Sequence, residues 1–160
     1  MTKWTWTAAV CVMAMFCGRA LAADAAKVRV GVYDPRAVVI IYYGSKVHDT
    51  ELRALMAEHE VAKAAGDQKK VAELKAKGSA SQELAHQQLA GKAPIDDLVK
   101  KLHPDWEKLG KETQVDLIVP KVLYKAEGVE VVDVTEALAK QLEAGEKQMK
   151  WIRDLKPAER

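Results

Sequence analysis

The chain has 160 residues, of which 49% are hydrophobic and 30% are charged, with 25 basic against 23 acidic residues. These proportions fit one domain with a modest core, and they exclude both a membrane helix bundle and a disordered acidic or basic tail. Because only 6% of the residues are aromatic, the composition also disfavours a stacking platform for single-stranded nucleic acid.

Residues 1–22 have the features of a secretory signal peptide. Lys3 gives a positive start, residues 4–17 are mostly apolar, and Ala20 and Ala22 place small residues where signal peptidase reads them. The apolar run is shorter than the roughly 20 residues of a membrane-spanning helix, which disfavours the alternative of an uncleaved anchor. We therefore predict export to the periplasm, with cleavage after Ala22.

Cleavage would change both the charge and the cysteine content of the chain. The leader holds Lys3 and Arg19 and no acidic residue, which leaves 23 basic and 23 acidic residues in 23–160. A neutral chain has no overall electrostatic attraction to nucleic acid or to anionic lipid. Because Cys11 and Cys17 also lie in the leader, the exported chain would have no disulfide and no thiolate site. We therefore expect no nucleic-acid partner, and membrane contact that is at most peripheral.

The first strand is predicted where β-branched residues alternate through Val28–Tyr33. Asp34 is a helix-capping residue, and Pro35 suits the first position of a helix. The apolar run Ala37–Tyr43 that follows is compatible with a helix or with a strand. We favour the helix, because the capping pair stands directly before it.

Residues 43–90 predict two long helices joined by a tight turn. Gly66 suits the left-handed end of the first helix and Asp67 suits the N-cap of the second, so we expect the legs at 43–65 and 68–90. Each leg carries an apolar stripe at helical spacing. The stripes consist of Leu52, Leu55, Met56 and His59 on the first leg, and of Val71, Leu74, Leu84, Ala85 and Leu89 on the second. Because both stripes are thin, this hairpin is expected to need support from the rest of the domain or from sister chains.

Shorter elements are predicted after the hairpin. They are a helical segment over 95–109 that Pro104 divides, strands at Val115–Val119 and Val129–Val134 with a turn at Glu127–Gly128 between them, a short element at Val122–Tyr124, and a helix from Asp133 or Thr135 to Leu142. Residues 147–160 are expected to form a loosely held tail. The sequence therefore predicts one α+β domain over residues 23–146.

The last two predicted strands, with the residues between them, follow a known pattern. The chain reads VDLIV over 115–119 and VLYKAEGVEVVDVT over 122–135. This stretch is similar to the "DLIV…VLY…GVDIT" stretch that precedes the last helix in the Skp/OmpH family of periplasmic chaperones. The order of one strand, a helical hairpin, strand, turn, strand and helix also resembles that family, with Val28–Tyr33 in the matching place.

The resemblance implies a homotrimer in which the strands build a small β-sheet body and each antiparallel helical hairpin projects as an arm. In that family the arms surround unfolded outer-membrane proteins and hold them without ATP, through many weak apolar and electrostatic contacts. It implies a holdase, with neither a catalytic residue nor a cofactor. The arm residues expected to contact clients are Leu52, Leu55, Met56, Lys63, Lys69, Lys70, Val71 and Leu74.

The chain departs from the family in the length and the charge of this arm. The family's arms are longer and more continuous, whereas this one is interrupted by Gly78 and by residues 91–94. Family members are often strongly basic, whereas the exported chain is neutral. Residues 61–77 nevertheless hold five lysines against two acidic residues. That segment is either a solvated helical face or a basic tip that contacts acidic clients or lipid headgroups.

The search for catalytic and metal-binding motifs finds none that is complete. His59 and Glu60 begin like the zinc-protease motif HExxH, but Lys63 stands where the second histidine is required. His59 and His86 could face each other across the hairpin, but a zinc site needs three or four protein ligands. We therefore predict no metal site and no enzyme.

A second hypothesis is a small periplasmic enzyme or ligand-binding domain. Its pocket would lie near Asp34, Arg36 and Tyr43, with His103 as a further candidate, because a carboxylate and a guanidinium at a strand end can bind a polar ligand. A helix cap with a surface ion pair explains Asp34 and Arg36 equally well. This hypothesis predicts a compact monomer in which these side chains converge.

Overall fold

The computed structural model describes residues 27–155, so the predicted signal peptide and residues 156–160 lie outside the described chain. Within this range the chain forms three strands and seven helices. In order, they are β1 (Arg29–Val32), α1 (Pro35–Tyr43), α2 (Lys46–Ala64), α3 (Gln68–Leu89), α4 (Asp96–Leu102), α5 (Trp106–Thr113), β2 (Leu117–Val119), β3 (Glu130–Asp133), α6 (Thr135–Gln141) and α7 (Glu146–Arg153). The predicted α+β class is confirmed. None of the seven helices combines the length and the apolar character that a bilayer crossing requires.

The three strands form one parallel sheet in the order β2-β1-β3. Val30 is in register with Leu117 on one side and with Val131 on the other. The predicted order of strand, turn at Glu127–Gly128 and strand is present, but β2 and β3 do not pair with each other, because β1 lies between them. Parallel strands start at the same edge of a sheet and cannot be joined by a tight turn, so residues 120–129 return past β1 instead. The short element predicted at Val122–Tyr124 is not formed.

One face of the sheet packs against the helices, and Gly31 lies at its centre. A Cβ atom at this position would lie 3.0 Å from Val115 Cγ2 and 3.1 Å from Val134 Cγ1. Ordinary contacts between carbon atoms are about 3.5–4.0 Å, so only glycine lets these side chains approach β1 so closely. The buried residues of this core are Tyr33, Val38, Val39, Tyr42, Leu98, Leu109, Val134 and Leu138.

Helix α1 lies between two hydrophobic clusters. Asp34 caps its first turn, as predicted, by accepting a hydrogen bond from the backbone N–H of the second helical residue. The apolar run that could have been a helix or a strand is helical. Val38 and Tyr42 belong to the cluster under the sheet, whereas Ala37 and Ile41 belong to a second cluster. Burial on both sides explains why this helix has no polar face.

Helices α2 and α3 are joined by a short turn and pack on each other. Gly66 has the left-handed φ of 71°, and the Asp67 carboxylate caps α3, both as predicted. Helix α2 begins at Lys46, later than expected, because the Ser45 side chain caps it. The seam between the two helices buries Ala62, Val71 and Leu74, with Leu55 partly buried against them. That this pair stands away from the domain as an arm stays a prediction.

The C-terminal segment is a packed helix, and the predicted loose tail is wrong over residues 147–155. Met149 and Ile152 of α7 are buried in the cluster that also holds Ile41. The Gln148 side chain donates a hydrogen bond to the Ile41 carbonyl oxygen at 3.0 Å. Because these contacts join α7 to α1, the domain extends beyond the predicted boundary at residue 146.

Candidate functional site

The α2–α3 pair presents most of its large apolar side chains to solvent. Among these, Met56 is 60% exposed and Val61 is 70% exposed. The other exposed ones are Val47, Leu52, Leu84 and Leu89. Each residue advances about 100° around a helix. On α2, Leu52 and Met56 therefore lie to one side of the residues that form the seam, and Val47 and Val61 lie to the other side. The pair therefore offers apolar surface on both flanks of a narrow seam.

The predicted client-contacting residues divide into two groups in the structure. Leu52, Met56, Lys63, Lys69 and Lys70 are exposed, and Leu55 is partly exposed. Val71 and Leu74 are 8% and 5% exposed, because they form the seam. The expectation that these two contact a client is therefore not supported by their position. Val61, the most exposed apolar residue of the pair, was missed because the periodic pattern placed it outside the stripe.

A small notch of about 170 Å³ lies where α2 and α3 meet. Its lining residues are Leu55, Met56, His59, Glu60, Leu74 and Lys75. His59 Nδ1 lies 3.3 Å from Glu60 Oε1, and His59 Nε2 is buried without a hydrogen-bond partner among the described residues. The notch is large enough for one side chain and not for a larger ligand.

The base of the α2–α3 pair is held to the domain by a hydrogen-bonded trio. Tyr42 Oη donates to Glu51 Oε2 at 2.6 Å, and Lys101 Nζ donates to the same oxygen at 2.7 Å. The hydrogen bond between Lys101 and Glu51 lowers the pKa of Glu51 and raises the pKa of Lys101. Burial raises the pKa of the Tyr42 hydroxyl. The trio connects α1, α2 and α4.

We expect this trio to make stability depend on pH. The pKa of Glu51 is lower in the folded chain than its ordinary value of 4.5, so its contribution is complete above 4.5 and is lost as the pH falls through the folded value. Lys101→Met should lower the free energy of unfolding by at most about 1 kcal/mol at neutral pH, since both partners are more than one-third exposed. Urea unfolding should show a smaller loss of stability below pH 4.5 in this variant than in the wild type. Lys100→Met is the matched control, and an equal effect of both substitutions would contradict the assignment.

A second polar junction joins the end of α3 to α4. Gln88 is 1% exposed, and its Nε2 donates to the Pro94 carbonyl oxygen at 2.9 Å and to Asp97 Oδ1 at 2.8 Å. Hydrogen bonds therefore join the first half of α2 to α1 and α4, and the end of α3 to α4. The first junction has no local sequence signal, because Glu51 and Lys101 lie 50 positions apart.

The residues of the predicted ligand pocket are not brought together. Asp34 and Arg36 form an ion pair, in which Arg36 Nε donates to both carboxylate oxygens at 3.0 Å. The Asp34 backbone N–H donates to Thr135 Oγ1 at 3.0 Å. Tyr43 lies at the other end of α1, about 10 Å away along the helix axis, where its ring centroid is 4.6 Å from that of His48. None of the three predicted pocket residues lines the notch or the slot described next.

The larger concavity, which we call the slot, has a volume of about 550 Å³ and lies between β2 and α5. Residues 115–118, of which the last two belong to β2, line it on one side, and one face of α5 lines it from the other side. The other residues that line the slot are Tyr33, Trp106, Glu107, Gly110 and Lys111. The ring centroids of Tyr33 and Trp106 are 5.5 Å apart. The slot was missed because its position depends on which strand lies at the edge of the sheet.

The sheet has a second face, opposite the helices, which we call the open face. It carries Val30, Val32, Leu117, Val119 and Val131, whose positions follow from the register and from the alternation of side chains. None of these five belongs to the three hydrophobic clusters. Leu117 is 54% exposed and Val131 is 40% exposed. Because parallel crossovers are right-handed, we expect residues 120–129 to cross this face, and Leu123 in that segment is 87% exposed.

No cluster of three or more His, Cys, Asp or Glu side chains within residues 27–155 could hold a metal ion. His103 ends α4 in the left-handed conformation, and His59 has the partly buried position that its place in the stripe predicts. The described part of the chain has three candidate binding surfaces, which are the flanks of the α2–α3 pair, the slot and the open face. No family model, no curated protein and no solved structure matches the chain.

Proposed function

We propose that the protein is an exported, ATP-independent holdase that binds unfolded outer-membrane proteins in the periplasm. The proposal is supported above all by how the α2–α3 pair divides its apolar residues between surface and seam. The pair exposes six large apolar side chains and buries only three residues in its seam. A helix that has apolar residues for packing normally buries them. Side chains kept at the surface are available for contacts with another chain.

The proposed binding is weak at each contact and is repeated over the surface. A half-exposed apolar side chain can bury only part of its area on a client, so each contact contributes about 1 kcal/mol. Lys63, Lys69 and Lys70 beside these residues add salt-dependent attraction to acidic segments. Many such contacts hold an unfolded chain without fixing one sequence. In this proposal the pair is a projecting antiparallel hairpin whose direction is set by the two polar junctions at its base.

We also propose that the protein works as a homo-oligomer, with the resemblance suggesting a trimer. Parallel sheets are almost always covered on both faces. Among the described residues, the open face carries five apolar side chains, and none of them belongs to a hydrophobic cluster that the helices form. A second copy of the chain would bury what residues 120–129 leave exposed of these side chains, Leu117 and Val131 above all, and would place several hairpins around one client.

The direct test is suppression of aggregation without nucleotide. An unfolded outer-membrane β-barrel protein is diluted from urea in the presence of the purified protein, and light scattering is followed. We expect the wild type to suppress scattering at a several-fold molar excess. Met56→Gln with Val61→Gln removes one apolar side chain from each flank of the seam and should require several-fold more protein. Trp151→Gln, at a half-exposed position on α7, is the matched control and should act like the wild type. Absence of suppression by the wild type would reject the holdase proposal.

A further inference from the structure

The outer edge of β2 directs hydrogen-bonding groups of the backbone into the slot. Strand β2 has β1 on one side and no strand on the other within the described chain. The Tyr33 N–H, directly after β1, donates to the Val119 carbonyl oxygen at 3.2 Å, so Val119 points its backbone groups toward β1. Successive residues of a strand point their backbone groups in opposite directions, and Ile118 therefore points its N–H and C=O away from β1. An extended segment in the slot would pair with these groups as an added strand.

The walls of the slot suit alternate side chains of such a segment. Trp106 and Tyr33 present two neighbouring aromatic rings, and Leu117 adds an exposed aliphatic side chain. The volume of about 550 Å³ lies within the range of roughly 300–1,000 Å³ that is typical of ligand sites. An added strand would direct every second side chain toward the aromatic wall and the others toward solvent.

The charges of the slot favour a basic segment. Lys111 forms an ion pair with Glu107, so these two charges compensate each other. Asp116 is exposed, and its carboxylate accepts a hydrogen bond from the Arg29 backbone N–H, which is a neutral donor. One negative charge therefore remains uncompensated within the slot, and a lysine or arginine on the segment would complement it.

We propose that the slot binds one extended segment of an unfolded client by strand addition to β2, and that the segment has apolar residues at alternate positions and basic residues between them. This inference rests on the proposed holdase function and assigns it a second contact, separate from the α2–α3 pair. Outer-membrane strands are themselves segments of alternating hydrophobicity. The α2–α3 pair would bind unfolded clients of many sequences. The slot would select segments in which apolar and polar residues alternate.

The test measures the binding of defined peptides by fluorescence anisotropy. The probe is a fluorescein-labelled peptide of about eight residues in which valine alternates with threonine and lysine. We expect it to bind at least tenfold more tightly than a peptide of the same composition with its valines contiguous. Replacing its lysines by glutamate should weaken binding several-fold. Equal affinity of the alternating and the contiguous peptide would overturn the proposal.

Two matched glycine variants locate the binding. A side chain at Gly110 would begin 3.5 Å from the Val115 carbonyl oxygen, which is an ordinary contact, and would fill the slot. Gly110→Met should therefore weaken the alternating peptide at least tenfold. Gly78→Met places the same side chain on α3, where nothing lies within 4 Å, and should leave binding unchanged. Unchanged binding by folded Gly110→Met would overturn the assignment to the slot.

A measurement on the wild type keeps the proposal testable if Gly110→Met does not fold. Amide hydrogen exchange of Ile118 should slow when the alternating peptide is added, because its outward N–H would donate a hydrogen bond to a carbonyl oxygen of the peptide. An exchange rate that the peptide does not change would overturn the proposal. Slow exchange of this amide without peptide, at concentrations where the protein self-associates, would also overturn it, because a second copy of the chain would then occupy the slot. If the alternating peptide does not bind while the protein still suppresses aggregation, only the inference about the slot is rejected. Absence of suppression rejects the proposed function itself.

Discussion

Ile152→Asp should unfold the domain or bring it close to unfolding. Ile152 is 5% exposed and packs with Ala37, Ile41 and Ala139. The substitution removes an apolar side chain from this cluster and places an ionisable group there without a partner. We expect it to lower the free energy of unfolding by at least about 3 kcal/mol. Domains of this size are stable by only about 5–15 kcal/mol, so a loss of this size decides whether the chain stays folded.

The prediction is checked by urea unfolding followed by circular dichroism. Lys150→Asp is the control, because it introduces the same residue at an exposed position of α7 and should change the free energy of unfolding by about 1 kcal/mol or less. Equal and small effects of the two variants would mean that α7 is not part of the core. The loose tail predicted from the sequence would then be the better description.

Val131→Lys should convert the proposed oligomer into monomers. Val131 lies on the open face and is 40% exposed in the single chain. In an assembly that covers this face, the substitution would bury a charge in an apolar interface. If the buried charge makes the free energy of association less favourable by about 3 kcal/mol per interface, association becomes roughly a hundredfold weaker.

Sedimentation or light scattering over a range of concentrations would measure this change. Val61→Lys makes the same substitution at a more exposed valine of α2, away from the sheet, and the mass of the assembly should be unchanged. A wild-type protein that is monomeric at every concentration would contradict the proposed oligomer. An assembly of unchanged mass in Val131→Lys would show that the open face is not the interface.

Local features of the fold were predictable because their causes are local. Asp34 and Asp67 cap helices, and Gly66 has a left-handed φ, since each depends only on neighbouring residues. The two helices of the 43–90 segment and all three strands were also placed from periodicity. The run Ala37–Tyr43 was ambiguous because a helix buried on both sides has no polar face to reveal its period.

The order of the strands was not predictable, because no local pattern encodes which strand lies in the centre. β1 reaches its partners across 87 residues at Asp116 and 101 residues at Glu130. The slot and the open face follow from that order and were therefore missed as well. Helix α7 was missed because only Met149 and Ile152 mark its buried side, among charged neighbours. On the α2–α3 pair, spacing identified a stripe without revealing that Val71 and Leu74 face the seam.

The central position of β1 has a consequence for how the chain acquires its structure. The first strand to be synthesised has no neighbour until residue 117 is available, and it is not flanked on both sides until residue 133. Contacts of such sequence separation form slowly, whereas the α2–α3 turn closes from adjacent residues. The helix pair should therefore assemble early and the sheet last. A chain that emerges N-terminus first would stay open, with its valine-rich first strand unprotected, until almost its whole length had appeared.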